Sequence, residues 1–89
     1  MKITDVRVRL IQKEDSKLKA VASITIEGVF VVHDIKIVAG EQGYFVNMPR
    51  RKTPDGEYKD VAHPLDTATR EMITKAVVDS FSAELEKNK

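Results

Sequence analysis

Polar and apolar residues alternate from the start of the chain. Val6, Val8 and Leu10 fall on one side of an extended backbone and Asp5, Arg7 and Arg9 on the other. This is the period-two pattern of a strand buried on one face, and it predicts a strand over residues 2–11. The polar stretch from Gln12 to Lys17 reads as a connection. Alternation then resumes over 18–26, with Leu18, Ala20, Ala22, Ile24 and Ile26 inward and Lys19, Ser23 and Thr25 outward. Two alternating strands joined by a short polar loop predict a hairpin.

Glu27-Gly28 breaks the pattern. Residues 29–38 are rich in β-branched side chains and predict a third strand, mixed in its facing. The two glycines of Ala39-Gly40-Glu41-Gln42-Gly43 mark a turn. A short fourth strand over 43–48 is ended by Pro49, which cannot donate to a ladder. Pro54-Asp55-Gly56 gives turn chemistry to the basic segment 50–59, which reads as a projecting hairpin or a loose loop. After His63-Pro64, Asp66 is the expected helix N-cap, with Thr67 and Thr69 as competitors. Ala68, Met72, Ile73, Ala76, Val77, Phe81 and Leu85 then recur at three- and four-residue steps. They predict one long amphipathic helix over about 66–86, with Lys87-Asn88-Lys89 fraying.

Strands first and helix last indicate an α+β fold. The expected architecture is an antiparallel sheet of four or more strands, a basic loop or hairpin, and one C-terminal helix across one face. Residues 1–89 are expected to form one domain. The uncovered sheet face must be solvated or buried against a partner.

Composition narrows the class. A chain of 89 residues buries only about 60–65% of its unfolded surface, so a second copy would add usefully to a thin core. The 42% hydrophobic and 33% charged content suits a globular rather than a disordered chain. No cysteine is present, which excludes disulfides and thiolate metal sites and fits a cytoplasmic setting. Charges at Lys2, Asp5, Arg7 and Arg9 interrupt any signal-like start, and the apolar run Val29–Val32 is too short for a bilayer span. No membrane insertion is expected.

Catalysis finds little support. Ser16, Ser23, Ser80 and Ser82 lie in no strained nucleophile elbow. His33 and His63 are far apart, and His33 and Asp34, as strand neighbours, are expected to face opposite ways. His63 before Pro64 reads as a turn residue or cap. Glu14-Asp15 and Glu84/Glu86 look like solvated charge, and the four glycines are scattered over turns. No enzyme, metal or cofactor is expected.

The net charge is only +1, so any attraction for a polyanion must be local. Three consecutive cations, Arg50-Arg51-Lys52, follow the fourth strand. Arginine matches phosphate oxygens with a planar fork and lysine adds a point charge. Arg70 and the first turn of the helix offer further donors, and Tyr44, Phe45 and Tyr58 are candidates for stacking on bases. The bland alternative is a solvated loop neutralised by Asp55, Glu57 and Asp60.

Four stretches carry a resemblance: ITDVRVRLI, FVVHDIKIV, GYFVNMPRRKTPDGEYKDVAHPL and DTATREMI. Together they resemble the stage V sporulation protein G family over about Ile3 to Phe81, most specifically from Gly43 to Pro64. The resemblance implies a compact sheet with a long C-terminal helix, assembled as a homodimer. It also implies a role in septum formation, sporulation and gene control, with DNA or RNA as partner. Carried onto this sequence, the binding surface falls on Arg50, Arg51, Thr53 and Pro54, with Thr67 to Arg70 at the helix start. With the charge reading, the candidate site is Arg50, Arg51, Lys52, Thr53, Pro54, Thr67, Thr69 and Arg70. The alternative is an adaptor that contacts cell-division or regulatory proteins through its uncovered sheet face, using Tyr44, Val46 and Val29 to Val38.

Overall fold

The computed structural model describes residues 2–11 and 15–87. Glu14 of the Glu14-Asp15 pair, and Asn88 and Lys89 of the expected fraying end, lie outside the described residues. The chain forms β1 (Ile3–Leu10), β2 (Leu18–Ile26), β3 (Phe30–Gly40), β4 (Gly43–Asn47), β5 (Arg50–Lys52), β6 (Tyr58–Asp60) and α1 (Thr67–Lys87). Strands β1 to β4 make one antiparallel sheet in sequence order, and β5 and β6 pair as a separate two-stranded ribbon. The arrangement is α+β.

Local chemistry accounts for the joints. Between β2 and β3, Val29 N–H donates to Ile26 O at 3.0 Å, with Glu27 and Gly28 at φ 56° and 69°. Two successive left-handed residues are what the tightest hairpin turn requires. Glu27 accepts this conformation although a side chain makes it unfavourable. Its amide donates to Lys2 O at 2.8 Å and its carboxylate accepts from Lys2 N–H at 2.9 Å. The next turn is tighter than the glycine spacing suggests. Ala39 and Gly40 continue β3, and only Glu41-Gln42 connect it to β4. Gly40 lies under the Phe45 ring, where a β-carbon would collide with it.

One sheet face carries the core. Ala20, Ala22 and Ile24 of β2, Ile35 and Ile37 of β3, Met48, and Ile73, Val77 and Phe81 of α1 are buried together. Val6, Val8 and Leu10 pack against them as the alternation of β1 requires. Each large aliphatic or aromatic side chain buried here contributes about 1.5–3 kcal/mol. The helix seam is narrower than the sequence pattern, because the buried positions step by four along Ile73, Val77 and Phe81 while Ala68, Met72 and Leu85 stay exposed. Near its C-terminal end, Phe81 meets Tyr44 edge to face at 4.8 Å. Tyr44 therefore turns toward the helix.

A bulge explains the mixed facing of β3. Ala22 pairs with Ile35, but Ile24 pairs with Val32, so Ser23 faces both His33 and Asp34. Asp34 has φ 61°. Strict alternation fails at this point, and His33 and Asp34 line the same depression on the face opposite the helix. The expectation that they point apart is corrected here: the extra residue of a bulge resets the facing of its neighbours.

Candidate nucleic-acid interface

The basic segment is an ordered ribbon rather than a loose loop. Thr53 N–H donates to Glu57 O at 2.7 Å, Gly56 N–H to Thr53 O at 3.0 Å, and Val61 N–H to Pro49 O at 2.7 Å at the base. Gly56 takes φ 87°. A β-turn followed by a left-handed glycine is the common three-residue hairpin loop, which explains Pro54, Asp55 and Gly56 in that order. The Thr53 hydroxyl donates to Asp55 and also lies 3.0 Å from Glu57 O. The Thr53 hydroxyl, then the Glu57 backbone, hold the Asp55 carboxyl below its ordinary value. Thr53 and Pro54 thus shape the loop.

Register sorts the cations. Arg50 pairs with Asp60, Arg51 with Lys59, and Lys52 with Tyr58, all six residues being exposed. Successive strand residues alternate faces. One face of the ribbon carries Arg50, Lys52, Tyr58 and Asp60, and the other carries Arg51 and Lys59. The Arg50 Nε donates to Asp60 Oδ1 at 3.0 Å, so its charge is locally balanced. Arg51, Lys52 and Lys59 have no ion-pair partner among the described residues. Like charges directly opposed across strands are destabilising. Such a cost makes sense where an anion is to be met.

Lys59 was absent from the candidate set read from the sequence. The signal that finds it is the symmetry of the ribbon about its turn, which sets it across from Arg51.

The helix start is differently disposed. Asp66 is the N-cap, accepting from Thr69 N–H at 2.6 Å, and Arg70 N–H donates to Asp66 O at 3.1 Å. The Thr69 hydrogen bonds hold the Asp66 carboxyl below its ordinary value. One of the free amide donors of the first turn is therefore already taken by the protein's own carboxylate. Thr69 is half-buried and lines a 190 Å³ apolar cavity with Phe30, Met48, His63, Pro64 and Ile73. Thr67 and Arg70 are exposed. Among the described residues, no hydrogen bond or ion pair joins the ribbon residues 50–53 to residues 67–70.

Of the aromatic candidates, Tyr44 packs on Phe81 and Phe45 covers Gly40, while Tyr58 lies exposed beside Lys52. Among the described residues, no group of three or more His, Asp or Glu side chains is placed to hold a metal ion. No helix there is long and apolar enough to cross a membrane.

Residues 1–83 match the family model described as SpoVG. The chain belongs to the SpoVG family. It is 59% identical over 81 residues to a Clostridium perfringens strain SM101 protein named "Putative septation protein SpoVG", covering 91% of this chain and 89% of that one. A protein of the same name from Agathobacter rectalis is 54% identical over 86 residues, covering 97% and 98% of the two chains. Another, from Caldicellulosiruptor bescii, is 52% identical over 83 residues, 93% of each. The ribbon lies inside the matched segment.

Proposed function

We propose that this SpoVG-family chain is a homodimeric regulator linked to septation, without catalytic activity, that binds DNA or RNA through the β5–β6 ribbon. The observation that carries the reading is the exposed Arg51–Lys59 pair, two cations without an ion-pair partner among the described residues, set opposite each other on a hydrogen-bonded hairpin. A polyanion lying along that face would relieve their repulsion and release its own counterions. Lys52 adds a third charge and Tyr58 a stacking surface on the opposite face. Thr67 and Arg70 are exposed at the helix start, and Arg50 is restrained by Asp60.

The homodimer belongs to the same proposal. Strand β4 pairs with Lys36–Gly40 of β3, so among the described residues the stretch from Phe30 to Asp34 has no strand on that side. Val29 and Phe30 lie exposed at the start of this stretch, at 86% and 62%, and Phe30 lines a cavity with Ala62 and Pro64. An unpaired edge beside apolar side chains is self-complementary under a two-fold axis, and two ribbons on one dimer would bind bivalently.

The test is a titration of Arg51→Ala/Lys59→Ala against labelled DNA and RNA at two salt concentrations. The expected result is weaker binding with a shallower salt dependence in a folded protein. Unchanged affinity and slope would remove the ribbon from the mechanism.

A further inference from the structure

The sheet face opposite the helix holds a second constellation, away from the ribbon. A shallow depression of about 560 Å³ is lined by Arg7, Val8, Arg9, Val21, Ser23, His33 and Asp34. Three strands supply it. Arg7 pairs with Ser23 and Arg9 with Val21 across the β1–β2 ladder, and the bulge in β3 brings His33 and Asp34 opposite Ser23.

Two features mark this depression. Asp34 holds a left-handed backbone, φ 61°, in the interior of a strand, a conformation that is uncommon for residues other than glycine. Bulges of this kind recur beside functional sites, where they re-aim a side chain. The side chain re-aimed here is His33, whose Nδ1 lies 3.0 Å from the Ser23 hydroxyl. The pair can form in either direction; when the hydroxyl donates to Nδ1, the neutral imidazole carries its proton on Nε2 and offers it as a donor.

We propose that this depression binds the phosphate group of a small molecule, with Arg9, His33 and Ser23 as its recognition groups. Arg9 has no ion-pair partner among the described residues. Arg7 uses its Nε on Asp5 at 3.0 Å, which leaves its terminal nitrogens as donors. Lys36 shares this face opposite Val21, so Asp5 and Asp34 offset only part of the positive charge of Arg7, Arg9 and Lys36. What remains is a short-range set of donors for one phosphate, with Asp34 as an acceptor for a hydroxyl beside it. A phosphorylated ribose has that combination.

The test is a titration of isotope-labelled protein with adenosine monophosphate, followed by amide NMR shifts at constant ionic strength. Adenosine and a single-stranded oligonucleotide serve as comparison probes. The expected result is saturable shifts at Arg9, Ser23 and His33 with the monophosphate and none with adenosine. Arg9→Gln and His33→Gln should each weaken binding about tenfold, while Arg51→Ala leaves it unchanged. Non-saturating shifts, equal binding of adenosine, binding unaffected by both site variants, or a response of this face to the oligonucleotide alone would each overturn the proposal.

Discussion

Arg51 and Lys59 face each other across the β5–β6 ladder with no ion-pair partner for either among the described residues. One rung away, Arg50 faces Asp60 and is paired with it at 3.0 Å. The ribbon therefore holds one conventional cross-strand pair and one repulsive pair in adjacent rungs. Exchanging the sign of one charge separates stability from binding.

Lys59→Glu should stabilise the ribbon and weaken binding together. Replacing repulsion by attraction at a directly opposed position is worth roughly 0.2–1 kcal/mol. The same change removes one phosphate-facing cation and adds an anion, lowering affinity for nucleic acid about tenfold or more at low salt. Denaturant midpoint and binding isotherm should move in opposite directions. A parallel loss of both would mean that the pair serves the fold.

Asp60→Asn tests the restraint on Arg50. Surface pairs of this kind are worth about 0–1 kcal/mol, so little stability should be lost. The released guanidinium should then reach a phosphate, raising affinity and steepening the salt slope by about 0.9 for duplex DNA. A slope identical to that of the unmodified protein would show that Arg50 cannot reach the ligand.

The contrast between these two arginines also shows what could be read from the sequence. The alternation of β1 and β2 is a one-dimensional signal, and the buried Ala20, Ala22 and Ile24 follow it directly. Asp66 as the helix cap, and Pro54-Asp55-Gly56 as the turn, are likewise local chemistry. Pairing register is not local. That Arg50 meets Asp60 while Arg51 meets Lys59 depends on how the loop closes, and a one-residue slip would reverse the assignment. The bulge at His33-Asp34, opposite Ser23, is similar, since nothing in the run from Val31 to Lys36 announces an extra residue. The helix was legible in extent but too wide in its apolar face. Met72 and Leu85 keep the period yet remain more than a third exposed.

Gly28→Ala isolates a backbone cost. A β-carbon at Gly28 meets nothing within 4 Å, yet the residue has φ 69°. The substitution should lower stability by about 1–2 kcal/mol through left-handed strain alone. The midpoint should fall with an unchanged denaturant slope. An unaltered midpoint would mean that the Glu27-Gly28 turn relaxes into another geometry at no cost.

Acid sensitivity should trace to Asp66 and Asp55. Both carboxyls sit below their ordinary value in the folded protein, Asp66 through Thr69 and Asp55 through Thr53 and Glu57. A depressed carboxyl contributes stability that is complete above the unfolded value and is lost as pH falls through the folded one. Stability should therefore decline on the acid side of the ordinary carboxyl range. Asp66→Asn keeps a capping side chain and should flatten that decline while leaving neutral-pH stability nearly unchanged. An equally steep acid limb in Asp66→Asn would assign the effect elsewhere.

Phe30→Glu addresses the edge of β3. Phe30 is 62% exposed although it lines the cavity floored by Ile24, Met48 and Ile73, and β4 stops short of its stretch of strand. A second copy paired along this edge would cover both Phe30 and Val29. A carboxylate at position 30 would then be buried near its own symmetry mate, where like charge and desolvation act together. A monomer tolerates the same change, because the side chain is largely solvated. The variant should keep its secondary structure and thermal transition at low concentration. Sedimentation or light scattering should show its mass falling to that of one chain, with weaker binding to long nucleic acid as bivalency is lost. A variant that remains fully dimeric would move the interface to another edge, the outer side of β1 or β4.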